Sequence, residues 1–240
     1  MEQLLPAVSN QMSSAPSIRL VLLASLFVGC AQISKETAYV PAPPLPSFHA
    51  QIPEPVNQIR RVAVLPIAYQ TPLEASLAGL DSALREELAK TSLFELVPIS
   101  RQELDSRFNQ RQFSSVEIVP AELLTTLRTE YGVDGVLFTE LTSYRPYQPI
   151  AIGLRSKLID AQSGRVRWAF DHLFDAGNLE TAKAAEGYYL ATNPPPAVIE
   201  PGYYTGAAVL QSPSRFTKYA AWEAFRSLLD KAAFVEVTTK

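Results

Sequence analysis

Few side chains in this chain could do chemistry, and one stands by itself. Cys30 is the only cysteine in 240 residues. It closes the apolar run Leu20–Cys30, Leu-Val-Leu-Leu-Ala-Ser-Leu-Phe-Val-Gly-Cys. A lone thiol has no disulfide partner in its own chain, which leaves acylation as the chemistry to consider. The two histidines, His49 and His172, are too far apart for a zinc site, which needs closely spaced His and Cys ligands. A hydrolase triad needs a histidine beside its nucleophile. His172 instead falls on the apolar phase of a predicted strand with Trp168, Phe170 and Phe174, where a packed or edge histidine is expected. His49 lies among prolines and reads as solvated. The acid pairs Asp134/Glu140 and Asp160/Asp171 could act as general acid and base, against the plainer reading of solvated strand and turn carboxylates. No glycine-rich phosphate loop follows the first strand. The expectation is a protein with no catalytic residue, no metal and no cofactor.

Two groups could bind a partner. Arg155, Lys157, Arg165 and Arg167 share the polar phase of a predicted hairpin, where an ordinary solvated sheet face is the alternative. Tyr188, Tyr189, Tyr203 and Tyr204 flank a proline-rich segment, and tyrosine gives contact area with a hydrogen-bonding tip. Packing of that segment onto its own domain is the competing reading.

The apolar run ahead of Cys30 is shorter than the roughly 20 residues a membrane-spanning helix needs. It suits the core of a signal peptide, which is about 7–15 residues with a small residue at the cut. Phe27-Val28-Gly29-Cys30 resembles the lipobox of bacterial lipoproteins, although Phe27 and Val28 stand where that motif favours Leu and then Ala or Ser. The resemblance implies lipidation of Cys30 and its use as the mature N-terminus. With Ala31 rather than Asp next in line, it also implies the outer membrane, on the periplasmic face. Met12 is an alternative start that leaves a more ordinary signal. Several acyl chains hold firmly, at about 0.8 kcal/mol per buried methylene.

These residues divide the chain. Residues 1–29 are expected to be a signal peptide and 30–58 a proline-rich tether. Residues 59–236 form an α/β domain, interrupted by a long Pro/Tyr-rich loop at 193–213. About 210 residues remain after the signal, enough for one core. Net charge is −3, which disfavours nucleic acid as a partner.

Within the domain, Val62–Leu65 reads as a strand covered on both faces, ending near Pro66. Thr71-Pro-Leu-Glu74 is a capping box for a helix to about Thr91, with Leu73, Leu77, Leu80, Leu84 and Leu88 on one face. A short strand Phe94–Ile99 follows, and Ser100-Arg-Gln-Glu103 caps a second helix, to about Arg111. Pro120–Gly132 is a third helix with glycine at its C-terminal left-handed position. Strand Val133–Tyr144 leads to strands Ile150–Ile159 and Arg165–Phe174 about the turn Asp160–Gly164. In each, one phase is apolar and the other polar, as for a hairpin with one wet face. Helices are expected at Asn178–Ala191 and from Ser212-Pro213 to about Ala233. The fold class is α/β, an α+β sandwich with a mixed sheet of about five strands and helices mainly on one face.

Arg61-Val-Ala-Val-Leu-Pro66, Phe94-Glu-Leu-Val97, Tyr131-Gly-Val-Asp-Gly-Val-Leu-Phe138 and Leu158-Ile-Asp-Ala-Gln-Ser-Gly-Arg-Val-Arg-Trp168 occur in that order. The series resembles a superfamily of envelope domains. It holds the curli secretion channel subunit, penicillin-binding-protein activator lipoproteins and the N-terminal domain of the Tol-system propeller protein. The resemblance covers about Arg60–Phe174 and implies a non-enzymatic domain that binds other envelope proteins. The charged hairpin face departs from what a channel-forming relative needs. Expected, then, is an outer-membrane lipoprotein acting as a protein-binding module in envelope assembly or regulation. The alternatives are a homo-oligomeric subunit of a secretion or flagellar-type ring, and a periplasmic hydrolase using strand-end carboxylates.

Overall fold

The computed structural model describes residues 48–51, 59–69, 77–194 and 206–229. The chain divides into two units, Met1–Tyr39 and Val40–Lys240, and every described residue belongs to the second. Cys30, Leu73, Tyr203 and Tyr204 lie outside the described residues.

A mixed sheet organises the domain. Its strands are β1 (Phe48–Gln51), β2 (Arg61–Val64), β3 (Ala68–Tyr69), β4 (Glu95–Pro98), β5 (Gly135–Arg145), β6 (Ala151–Asp160) and β7 (Val166–Asp175). The order across it is β1-β7-β6-β5-β2-β4, with β3 also paired to β5. The strands β2, β4 and β5 are parallel, and β5, β6, β7 and β1 are antiparallel in turn. Two short strands exceed the expected five. One is β1, which lies inside the stretch read as tether and pairs Phe48 with Asp171 through to Gln51 with Trp168. The other is β3: the chain breaks strand geometry around Pro66, which cannot donate to a ladder. It then resumes at Ala68 opposite Glu140.

The helices are α1 (Leu77–Lys90), α2 (Arg101–Phe108), α3 (Ala121–Tyr131), α4 (Leu179–Thr192) and α5 (Pro213–Arg226). From β2 the chain crosses to β4 on one side, then returns past β2 to reach β5. Right-handed crossovers running in opposite directions must place their helices on opposite faces. Accordingly α1 joins α4 and α5 in the larger layer, where Leu80, Leu84, Leu88, Tyr219 and Phe225 pack with Val62, Leu137, Leu154 and Trp168. Helices α2 and α3 cover the parallel end of the other face, where Leu104, Leu123 and Leu127 meet Ala63, Val136 and Phe138. β2 is therefore core on both sides, with Val62 and Ala63 both fully buried.

The predicted caps are present. Ser100 and Glu103 close a reciprocal capping box, and α2 ends at Phe108, short of Arg111, because Asn109 turns left-handed at φ 51°. Gly132 ends α3 at φ 64°, and Gly164 turns the β6–β7 hairpin at φ 67°. Asn178 caps α4 through the amides of Glu180 and Thr181. α5 ends at Arg226, and a 3-10 turn, Gly206–Gln211, precedes it. Among the described residues no helix is long and apolar enough to cross a membrane.

Candidate functional site

The polar side of β5–β7 is a set of closed pairs. Register places Glu140, Arg155 and Asp171 in one row across three strands. Arg155 Nε donates to Asp171 Oδ2 at 2.7 Å. Glu140 is buried, and its Oε2 accepts from the Ser114 hydroxyl, the Ser115 amide and the Ser115 hydroxyl at 2.7–3.1 Å. The loop 109–120 thus roofs part of the face expected to be wet. Lys157 sits over the Phe138 ring at 5.2 Å and donates to the Glu117 carbonyl. Burial lowers the Lys157 pKa, against an opposing pull from Glu140.

The four bases do not form one patch. Arg165 is exposed beside the turn. Arg167, expected on the wet face, is only 7% exposed. Its Nε and Nη2 donate to Asp160 Oδ2, while Asp160 Oδ1 accepts from the Gln162 and Ser163 amides of its own turn. The arginine is a buried brace for the hairpin turn. Tyr188 is a second correction. It is 7% exposed, packed on Tyr219 and Trp222 with ring centroids 6.0 and 5.1 Å away, and burial raises its pKa. Tyr189 is half-buried, with the Arg215 guanidinium 5.4 Å from its ring centroid.

The acid pairs are also engaged structurally. Asp134 Oδ2 accepts from the amides of Arg60 and Arg61, both at 3.0 Å, fixing the entry to β2. Asp160 and Asp171 each hold a different arginine. His172 is half-buried, its ring edge-on to Phe174 at 4.6 Å, and burial lowers its pKa. Among the described residues no group of three His, Cys, Asp or Glu could hold a metal ion.

The concave feature lies elsewhere. A cavity of about 350 Å³ opens at the carboxyl ends of β2 and β4, beneath α1 and beside the C-terminal turn of α5. Open α/β sheets tend to bind at this end of their parallel strands. Ile67, Leu84, Leu88, Ile99 and Phe225 give it an apolar lining. Its polar corner is a clamp between two helices. Asp81 accepts from the Ile67 amide at 2.8 Å and from Arg101 Nη2 at 3.0 Å. Arg101 Nη2 also donates to the Ile67 carbonyl at 3.0 Å. Arg101 Nη1 is buried and has no acceptor, and Arg85 stands exposed at the rim. Such a corner can take a carboxylate or carbonyl oxygen beside an apolar group. Sequence reading put Asp81 and Arg85 on a solvated helix face and treated Arg101 only as part of a capping box. The available signal was that each opens a helix directly after a parallel strand.

The chain has relatives of known structure. No family profile and no curated protein matches it. Among solved structures it overlaps the PelC dodecamer from Paraburkholderia phytofirmans at 16% identity and a TM-score of 0.38, covering 57% of this chain and 86% of that one. Lipoprotein GNA1162 from Neisseria meningitidis overlaps at 17% identity and TM-score 0.40, covering 55% and 94%. The LpoB C-terminal domain from Salmonella enterica overlaps at 18% and 0.36, covering 48% and 82%. These neighbours agree with the envelope-domain resemblance read from the strand motifs.

Proposed function

We propose that this chain is a lipoprotein held through acyl chains on Cys30 to the periplasmic face of the outer membrane. There its α/β domain works as a non-enzymatic protein-binding module in envelope assembly or regulation. One observation carries the non-enzymatic part. Each strand-end carboxylate that hydrolysis could use already accepts from a structural donor: Asp134 from the Arg60 and Arg61 amides, Glu140 from Ser114 and Ser115, Asp160 from Arg167, Asp171 from Arg155. Recruiting any of them as acid or base would break a cap or an ion pair. The anchor rests on Phe27-Val28-Gly29-Cys30 and on the prolines between Cys30 and the domain, which favour an extended spacer.

Affinity capture of the tagged full chain from detergent-solubilised envelopes, followed by mass spectrometry, tests this reading. A defined protein partner is expected with the wild type and not with Cys30→Ser, and Cys30 itself should carry acyl mass. An unmodified thiol on a chain that fractionates with cytosolic markers overturns the reading.

A further inference from the structure

The cavity under α1 has an apolar floor and a surplus of positive charge. Arg85 and Arg101 face Asp81 alone, whose two oxygens are already taken by the Ile67 amide and by Arg101 itself. One buried guanidinium nitrogen, Arg101 Nη1, is left without an acceptor. The matching occupant is an apolar side chain followed closely by a carboxylate.

The chain carries that pattern next to the cavity. Phe225 lines the cavity from the last turn of α5, and the described chain runs four residues further, to Leu229. Ion pairing of Lys218 with Glu86 at 2.7 Å and the presence of Phe225 beside Leu84 and Asp81 show α5 running antiparallel to α1. The C-terminal end of α5 is thus at the cavity end of the domain. Beyond it comes Lys231-Ala-Ala-Phe-Val-Glu-Val237. Phe234 is five residues past Leu229, a reach of about 17 Å when extended, and Glu236 follows two residues later.

We infer that Lys231–Val237 docks in cis into this cavity, Phe234 filling the apolar floor and Glu236 meeting Arg101 and Arg85. The docked segment supplies the missing acceptor for Arg101 and covers the carboxyl ends of β2 and β4. A partner with the same apolar-then-acidic pattern must displace it.

The test uses the full chain in detergent with Cys30→Ser, so that the only thiols are the two introduced at Ala78, an exposed cavity residue, and Phe234. Under mild oxidation the monomer is expected to form the internal disulfide in high yield. Ala78→Cys paired with Thr239→Cys serves as the distal control and should form several-fold less. A disulfide only between chains means that a second copy fills the cavity, and equal yields from both pairs mean random encounter. Either result overturns the inference. In the otherwise unaltered Cys30→Ser chain, Phe234→Ala should raise amide exchange at Ile67 and Ile99 several-fold, and Glu236→Gln less. No change in either overturns it too. These readouts need no partner, so they stand or fall apart from the function proposed above.

Discussion

The parallel and antiparallel ends of the one sheet solve burial in different ways. At the parallel end, crossovers in opposite directions put a helix layer on each face, so neighbouring residues of β2 and the first seven of β5 are all buried or nearly so. At the antiparallel end, α4 and α5 cover one face only. The other is closed by side-chain pairs and a loop: Arg155 with Asp171, Glu140 with Ser114 and Ser115, Arg167 with Asp160. Apolar layering thus leaves an unfilled cavity at the parallel end. Polar pairing at the other end leaves few groups with unmet bonds. A domain of this kind is better placed to receive a partner where its layers gape than where its charges already match.

Substitution of adjacent residues breaks that comparison most directly. Val62→Asn and Ala63→Asn should each cost about 3 kcal/mol or more, since both introduce an unpaired amide into a packed layer. In β6, Leu154→Asn should cost as much, whereas Arg155→Asn should cost less than about 1 kcal/mol. Urea unfolding of the four variants measures the contrast, and equal losses at Leu154 and Arg155 would show the antiparallel end to be double-sided as well. Next in size is Arg167→Met, which strands the Asp160 carboxylate at a cost of about 2 kcal/mol. Adding Asp160→Asn should return part of that loss in the same assay.

A double-mutant cycle on Arg155 and Asp171, whose side chains are about one-third exposed, should give a coupling of about 0.5 kcal/mol. It should shrink at high salt. The smallest effect concerns His172. Its pKa is lowered by burial from the ordinary 6.5, with Asp171 opposing. The folded chain then binds a proton less readily than the unfolded one. Stability is complete above that ordinary value and declines as pH falls through it. His172→Phe should flatten the melting temperature between about pH 7 and 5, and a variant that keeps the wild-type slope would assign the slope elsewhere.

Local signals made much of the fold legible. The leucine stripe of α1, the capping box of α2, Gly132 at the end of α3 and the two-phase strands β6 and β7 each follow from a short run of residues. Where the expectation failed, distance along the chain was the cause. Alternation gives the phase of Arg167 but not that Asp160 folds back from the turn to bury it. Aromatic character gives Tyr188 a use without saying which side of α4 faces Tyr219. β1 carries no alternation, sits between prolines, and is defined only by its partner β7. The cavity was least legible, because β2, β4, α1 and α5 meet there from widely separated parts of the chain, and no one stretch encodes it.

The four-residue strand β1 has a mechanical consequence. It is the first described piece of backbone, and it grips the sheet along the outer edge of β7 through four residue pairs. Any tension arriving from the N-terminal side, as from a body moving relative to its anchorage, loads this short grip before it reaches β2. A tug would peel the edge away and leave the hydrophobic centre intact, so the domain can yield under strain and re-zip when the load is released.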